Sequence, residues 1–292
     1  MILKEVLKKG RSFLNGSENA LLKAEVLLCE VLGKQREYLI SHCDEEVSGD
    51  FEQKYYTKVR EVQGGRPLAY VLSRKEFYGN DFFVDENVLI PRPETELLID
   101  EVLCRAKKLA VNSKRVLKIL DVGTGSGNIA LSLALLLSNA EITAVDVSKK
   151  ALEVAKKNYE RLSTETTVEF FESDLFEGIP EDKLREGFDI IVVNLPYIGL
   201  KSNNFVQEEV KNNEPSHALF SGDDGLYDYR RFFDAIGEME WQPKYIIGEY
   251  GFKPQEKELK QIVDKIFCSK MGMNFYKDLA GNPRMFVVSK KN

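Results

Sequence analysis

From residue 116 onward the chain repeats one pattern: a short aliphatic run, a polar or glycine-rich turn, then a helical stretch. Residues 116–120, 142–145, 168–171 and 188–193 read as strands, with helices over 129–137 and 151–162 between them. Strands alternating with helices need crossover connections and therefore lie parallel. The pattern predicts an α/β, doubly wound, mostly parallel sheet covered on both faces. Beyond it, a helix is expected over 229–236, a strand over 245–247, and an amphipathic helix carrying Leu259, Ile262, Val263, Ile266 and Phe267. Residues 275–279 and 285–288 close the chain as an antiparallel hairpin on the sheet edge, turning at Ala280-Gly281-Asn282-Pro283.

The first 65 or so residues have a different period. Leu3, Val6, Leu7, Phe13 and Leu14, then Leu21, Ala24, Leu27, Leu28, Val31 and Leu32, then Phe51, Tyr55, Val59 and Val62 follow helical spacing. Gly16-Ser17, Gly33 and Gly64-Gly65 end the successive helices, which predicts a helical bundle. The bundle has no cluster of reactive groups and is read as a recognition module for a macromolecular partner. Next, Glu76-Phe77-Tyr78 and Phe82-Phe83-Val84 flank Gly79-Asn80-Asp81 as a β-hairpin connector bridging the two domains. Ile90-Pro91-Arg92-Pro93-Glu94-Thr95-Glu96 then holds the chain extended before a helix whose positive amino end suits Glu94 and Glu96. The expected domains are residues 1–74, a connector over 75–92, and 93–292.

Composition excludes several classes. The 292 residues carry 41 Lys plus Arg against 47 Asp plus Glu, a net charge of −6, so no global basic footprint favours nucleic acid. No stretch approaches the roughly 18 apolar residues of a membrane span, and the opening Met1-Ile2-Leu3-Lys4-Glu5 lacks a signal-peptide layout; a cytoplasmic place is expected. Cys29, Cys43, Cys104 and Cys268 have no C-x-x-C pairing and are expected as buried free thiols. With His42 and His217 the only histidines, no metal site is expected.

The chemistry gathers at the carboxyl ends of the predicted strands, where open α/β sheets bind ligands. Asp121-Val122-Gly123-Thr124-Gly125-Ser126-Gly127 follows the first strand and opens a helix. Its glycines alternate strictly instead of following G-x-G-x-x-G, and Asp121 lies just upstream. A pyrophosphate would gain little from that carboxylate, whereas a cationic amino-acid end would pair with it, so the loop favours S-adenosylmethionine over NAD. Asp146 ends the second strand, where an acid takes up ribose hydroxyls; Ser148 is better placed than Asp146 to cap the next helix. After the third strand, Asp174 can accept from an adenine amino group, with Leu175 or Phe176 against the ring. The fourth strand ends abruptly in Asn194-Leu195-Pro196-Tyr197, which sets an amide, a restricted backbone and an aromatic ring at the same edge. The long polar stretch over about 199–225 lies beside that edge and is read as a functional loop.

These ordered motifs resemble those of class I S-adenosylmethionine methyltransferases that act on an amide or exocyclic amino nitrogen. Gly65-Arg66-Pro67-Leu68-Ala69-Tyr70, Glu76-Phe77-Tyr78-Gly79, Ile90-Pro91-Arg92-Pro93-Glu94-Thr95-Glu96, Gly222-Asp223-Asp224-Gly225-Leu226 and Lys277-Asp278-Leu279-Ala280-Gly281 are similar, more narrowly, to bacterial peptide chain release factor glutamine N5-methyltransferases. The resemblance covers nearly the whole chain. It implies a seven-stranded Rossmann-like methyltransferase sheet and methyl transfer to the glutamine of the Gly-Gly-Gln loop of class 1 release factors, tuning translation termination. S-adenosylmethionine is the implied donor and S-adenosylhomocysteine the product.

The same resemblance implies cofactor binding by Asp121, Gly123, Thr124, Gly125, Ser126, Gly127, Asp146, Asp174, Leu175 and Asn194. Asn194, Leu195, Pro196 and Tyr197 are the implied catalytic and substrate-binding corner, with Arg92 and Glu94 as further substrate contacts. The family corner is Asn-Pro-Pro-Tyr. Leu195 keeps the backbone carbonyl of the second position and loses the fixed φ of proline. The segment Glu249-Tyr250-Gly251-Phe252-Lys253-Pro254-Gln255 is less family-like and receives no role. A monomer without direct nucleic-acid or membrane binding is expected. The alternatives are an adenine-N6 nucleic-acid methyltransferase, whose corner would grip a flipped base, and a cofactor-binding scaffold without activity.

Overall fold

In the computed structural model the described residues are 1–112, 115–201, 203, 204 and 206–291. The chain divides into two compact units, one of Met1–Arg74 with Glu208–Asn213, the other of Lys75–Gln207 with Glu214–Asn292.

The first unit holds helices α1 (Leu3–Phe13), α2 (Ala20–Leu32), α3 (Arg36–Ser41), α4 (Gly49–Gln63) and α5 (Leu68–Leu72). Leu3, Val6, Leu27, Leu28, Tyr55 and Val59, all on the helical period of the sequence, form its core. Gly33 ends α2 in the left-handed conformation (φ 63°), as a glycine stop should. The short helix α3, which the apolar spacing does not announce, contributes Leu39 to the same core.

The second unit opens with a two-stranded hairpin, β1 (Lys75–Phe77) and β2 (Asn80–Phe82). Its turn is Tyr78-Gly79, both with positive φ (49° and 73°), so the expected loop Gly79-Asn80-Asp81 is corrected by one residue: Asn80 and Asp81 pair in the ladder. Glu96 sets that register by accepting the Tyr78 N–H at 2.8 Å. Phe77 and Phe82 bury their rings edge to face, 6.1 Å apart.

A 3-10 turn, Pro93–Thr95, leads into α6 (Glu96–Asn112). There follow β3 (Leu117–Val122), α7 (Asn128–Leu136), β4 (Ala140–Asp146), α8 (Lys149–Leu162), β5 (Val168–Glu172), α9 (Glu181–Glu186) and β6 (Ile190–Val193). Helix α10 (Glu208–Asn213), part of the first unit, lies within the stretch read as a loop; Asn213 there donates to the Gly65 carbonyl at 2.9 Å. The chain ends with α11 (Tyr227–Gly237), β7 (Tyr245–Glu249), α12 (Lys253–Ile266), β8 (Met271–Lys277) and β9 (Pro283–Lys290).

Seven strands form one sheet in the order β5-β4-β3-β6-β7-β9-β8. The first five are parallel, while β9 runs antiparallel to both β7 and β8, the expected edge hairpin. Residues alternate between two cores: Leu120, Val122, Ile191 and Val193 meet α11 and α12 on one face, and Ile119, Ile190 and Val192 meet α6 and α7 on the other. Strand order reverses between β3 and β6, which opens a crevice at their carboxyl ends.

Two expectations are corrected. Strand β3 runs two residues past the predicted end, so Asp121 is a strand residue, registered with Ala144 and Val192 on its two sides. Cys104, on α6, and Cys268, in the turn that follows α12, are exposed instead of buried; Cys29 and Cys43 are half-buried. Among the described residues no helix is long and apolar enough to cross a membrane.

Candidate functional site

A cavity of about 400 Å³ opens at the crevice, within the range of small-molecule sites. Its floor is the glycine loop. Gly123, Gly125 and Gly127 have φ of 76°, 55° and 79°, which side-chain-bearing residues rarely adopt, and this explains their alternation. Four of the loop's N–H groups are tied to protein acceptors. Those of Gly123 and Thr124 reach the Val145 carbonyl, each at 2.9 Å, and that of Gly127 reaches the Thr124 carbonyl at 2.9 Å. The Gly125 N–H donates to Asp146 Oδ2 at 2.8 Å. A phosphate cradle needs such groups free to face an anion, so this loop is built for a different ligand. Buried Asn158 braces it, donating to the carbonyls of Ser126 and Phe83, each at 2.9 Å, and accepting the Phe83 N–H at 2.7 Å.

Gly123, Thr124, Gly125, Ser126, Asp146, Asp174, Leu175, Asn194, Leu195, Pro196 and Arg92 all line the cavity. Asp121, Gly127, Glu94 and Tyr197 lie outside its lining. Asp121 is fully buried behind the loop: its Oδ2 accepts from Thr124 Oγ1 at 2.7 Å and the Ala130 N–H at 3.1 Å. Its Oδ1 has no hydrogen-bond partner. Burial pushes this carboxyl up to about 7, against the lowering effect of those two donors. Asp146 is likewise raised by burial, while each of its oxygens takes one N–H, from Gly125 and from Ser148 at 2.8 Å. Ser148 does cap α8, accepting from Ala151 at 3.2 Å.

Asp174 is ion-paired with Arg231 of α11 at 2.7 Å, a partner that no local motif signals. Leu175 stands at φ 54°, a costly conformation for leucine held by Ser173, whose hydroxyl donates to the Leu175 carbonyl at 2.9 Å. Phe176 faces away from the cavity and stacks on Phe232 in the core at 5.7 Å, so of the two apolar candidates only Leu175 lines the cavity.

Much of the Asn194-Leu195-Pro196-Tyr197 corner rests on the segment given no role. Glu249 ends β7, adjacent to β6 in the sheet, and is fully buried. It accepts from Thr95 Oγ1 at 2.7 Å, Tyr197 Oη at 2.8 Å and Asn194 Nδ2 at 3.4 Å. Burial raises its carboxyl, and the Thr95 and Tyr197 hydroxyls together with the Arg284 charge oppose the rise. The Tyr197 ring lies against Gly251, where a Cβ would come within 2.7 Å of it, and Gln255 Nε2 holds the Tyr197 carbonyl at 2.9 Å. Tyr229, fully buried, donates its hydroxyl to the Glu249 carbonyl with the Leu195 N–H beside it. Leu195 itself packs into the core. Arg92 is paired with buried Glu214 at 2.5 Å, and Glu214 also takes the Ile90 N–H at 3.0 Å. Glu94 lies near enough to Glu249 to oppose its charge.

Sheet order, switch-point cavity and inward-tied glycine loop define a methyltransferase, and a family model described as "Methyltransferase domain" matches residues 113–221. A second, "PrmC N-terminal domain", matches residues 5–72. The release factor glutamine methyltransferase of Bacillus subtilis (strain 168) is 35% identical over 96% of this chain and 95% of its own. That of Koribacter versatilis is 37% identical over 92% and 91%. This chain belongs to the release factor glutamine methyltransferase family. In fold alone it is similar to a human methyltransferase 10 domain containing protein, at TM-score 0.54 and 16% identity, covering 79% of this chain and 98% of that one.

Proposed function

We propose that this protein transfers a methyl group from S-adenosylmethionine to the side-chain amide nitrogen of a glutamine, that of the Gly-Gly-Gln loop of class 1 peptide chain release factors. The observation that carries this reading is the orientation of Asn194. The Asn194 nitrogen donates to Glu249 at 3.4 Å while Asn194 itself lines the cavity, so its Oδ1 is the end of the amide free to meet an acceptor substrate's N–H. A cavity acceptor beside a backbone carbonyl suits a group with two N–H bonds on one nitrogen.

The residues present fit the donor. Asp121, buried behind the glycine loop, shapes it through Thr124 and Ala130, and Asp146, which lines the cavity, retains lone pairs for ribose hydroxyls. When bound, S-adenosylmethionine supplies an electrophilic methyl on a sulfonium. The chain's own part is positioning. An amide nitrogen is a weak nucleophile, and holding it in line is worth roughly 7 to 11 kcal/mol. Asn194 Oδ1 and the Leu195 carbonyl accept its two hydrogens and favour positive charge growing on it. Pro196 and Tyr197 complete the corner, Arg92 lines the cavity, and Glu94 lies outside that lining, near Glu249. The methylated nitrogen is acidic enough to release its proton to water, so the corner needs no dedicated base. Release factors act on ribosomes, which places the reaction in the cytoplasm.

The test is a radiolabelled methyl-transfer assay with a class 1 release factor and DNA as competing acceptors. Label on the release factor, lost when its glutamine is changed to alanine, is the expected result. Label on DNA alone, or none, overturns the reading.

A further inference from the structure

Glu249 is more elaborately connected than a buried strand end requires. A carboxylate removed from water is costly unless its lone pairs are filled, and here three side chains from two separate segments fill them: Thr95, Tyr197 and Asn194. Two of the three belong to the corner. The third, Thr95, lines the same cavity.

We propose that Glu249 is the positioning residue of the reaction: its carboxylate decides which end of the Asn194 amide faces the acceptor and fixes the Tyr197 hydroxyl at the same time. The proposal rests on the methyl-transfer reading above. With Asn194 reversed, an NH2 group would confront the N–H bonds of the acceptor amide and repel it. Glu249 excludes that rotamer, because a reversed Asn194 would present oxygen to a carboxylate. The hydroxyl of Tyr197 donates to the other carboxylate oxygen, Oε1, so one carboxylate holds both the ring and the amide. Burial from solvent keeps the arrangement from exchanging with water.

The decisive experiment is a double-mutant cycle on the full chain. Glu249→Gln is expected to lower kcat about 10- to 100-fold, the scale of a small misplacement of the reacting group, with donor affinity by calorimetry within about 2-fold of wild type. In an Asn194→Ala background the same change should cost clearly less, since Glu249 then has no amide to orient and only its hold on Tyr197 is left to lose. Equal losses in both backgrounds, or a donor affinity that falls as far as kcat, overturn the proposal. The side-chain NH2 signals of Asn194 in a 15N spectrum test the orientation without any acceptor. One proton displaced downfield in wild type and restored in Glu249→Gln supports it, and signals indifferent to the change overturn it. Should wild type fail to methylate a release factor, that result counts against the proposed substrate, and the spectrum still decides the role of Glu249. If Glu249→Gln does not fold, Thr95→Val, which frees Oε2 of one restraint, is expected to show the same loss confined to kcat, about 3-fold or more. No loss there overturns the proposal.

Discussion

Asp146 and Gly125 come from different strand ends and meet through one hydrogen bond of 2.8 Å, so the carboxylate read as a ribose contact also fixes the shape of the glycine loop. Asp146→Ala therefore removes a ligand contact and a loop tie together. Donor affinity should fall by about 30-fold, the equivalent of roughly 2 kcal/mol for hydrogen bonds to a charged group. Calorimetry checks this, and an unchanged affinity would refute the assignment.

Asp121 gives a pH signature. Its carboxyl keeps a proton in the fold up to about pH 7, while the unfolded chain releases it near 3.8. Between those values the folded state binds more protons, so the contribution to stability is full below the unfolded value and is lost as pH rises through the folded one. Asp121→Asn does not titrate. The stability of the variant relative to wild type, from urea unfolding without ligand, should grow from pH 4 to pH 7 and then level off. A flat difference would show that the carboxyl is not raised.

Asn194→Ala removes the amide that we propose faces the acceptor, without touching a glycine-loop residue. We expect kcat to fall about 100-fold, the scale of losing one oriented polar group, with a smaller change in donor affinity. Near-normal turnover would remove Asn194 from the mechanism.

Gly251 is needed for closeness of approach, since a Cβ there would stand 2.7 Å from the Tyr197 ring. Gly251→Ala should push the ring from its seat and lower kcat by about 10-fold or more, with donor affinity retained. Wild-type turnover in that variant would mean that the ring position is unimportant.

How legible the site was depends on how local each part is. Ile190–Val193 announces a buried parallel strand because both faces of such a strand are apolar, and the run stands in sequence. The glycine spacing announces a loop with three left-handed residues for the same reason. Strand ends are harder. Asp121 looks like a loop residue in the sequence, and only its pairing with β4 and β6 makes it part of a central strand. The segment 249–255 went unread because its residues have no pattern of their own. Their meaning lies in Tyr197, which Glu249, Gly251 and Gln255 all touch.

Sequence by itself determined the alternation of strand and helix, hence the parallel sheet, and the residue types waiting at its carboxyl edge. Both follow from side-chain period and turn chemistry, which act over a few neighbouring residues. Tertiary structure alone decided which charged and polar side chains meet: Arg92 with Glu214, Asp174 with Arg231, and Asn194 with Glu249. Those pairs are separated by 122, 57 and 55 positions, and strand order and loop path bring them together. A buried carboxylate is stable only where such distant donors converge on it, so Glu249 acquired a reason to be there only once the sheet was assembled.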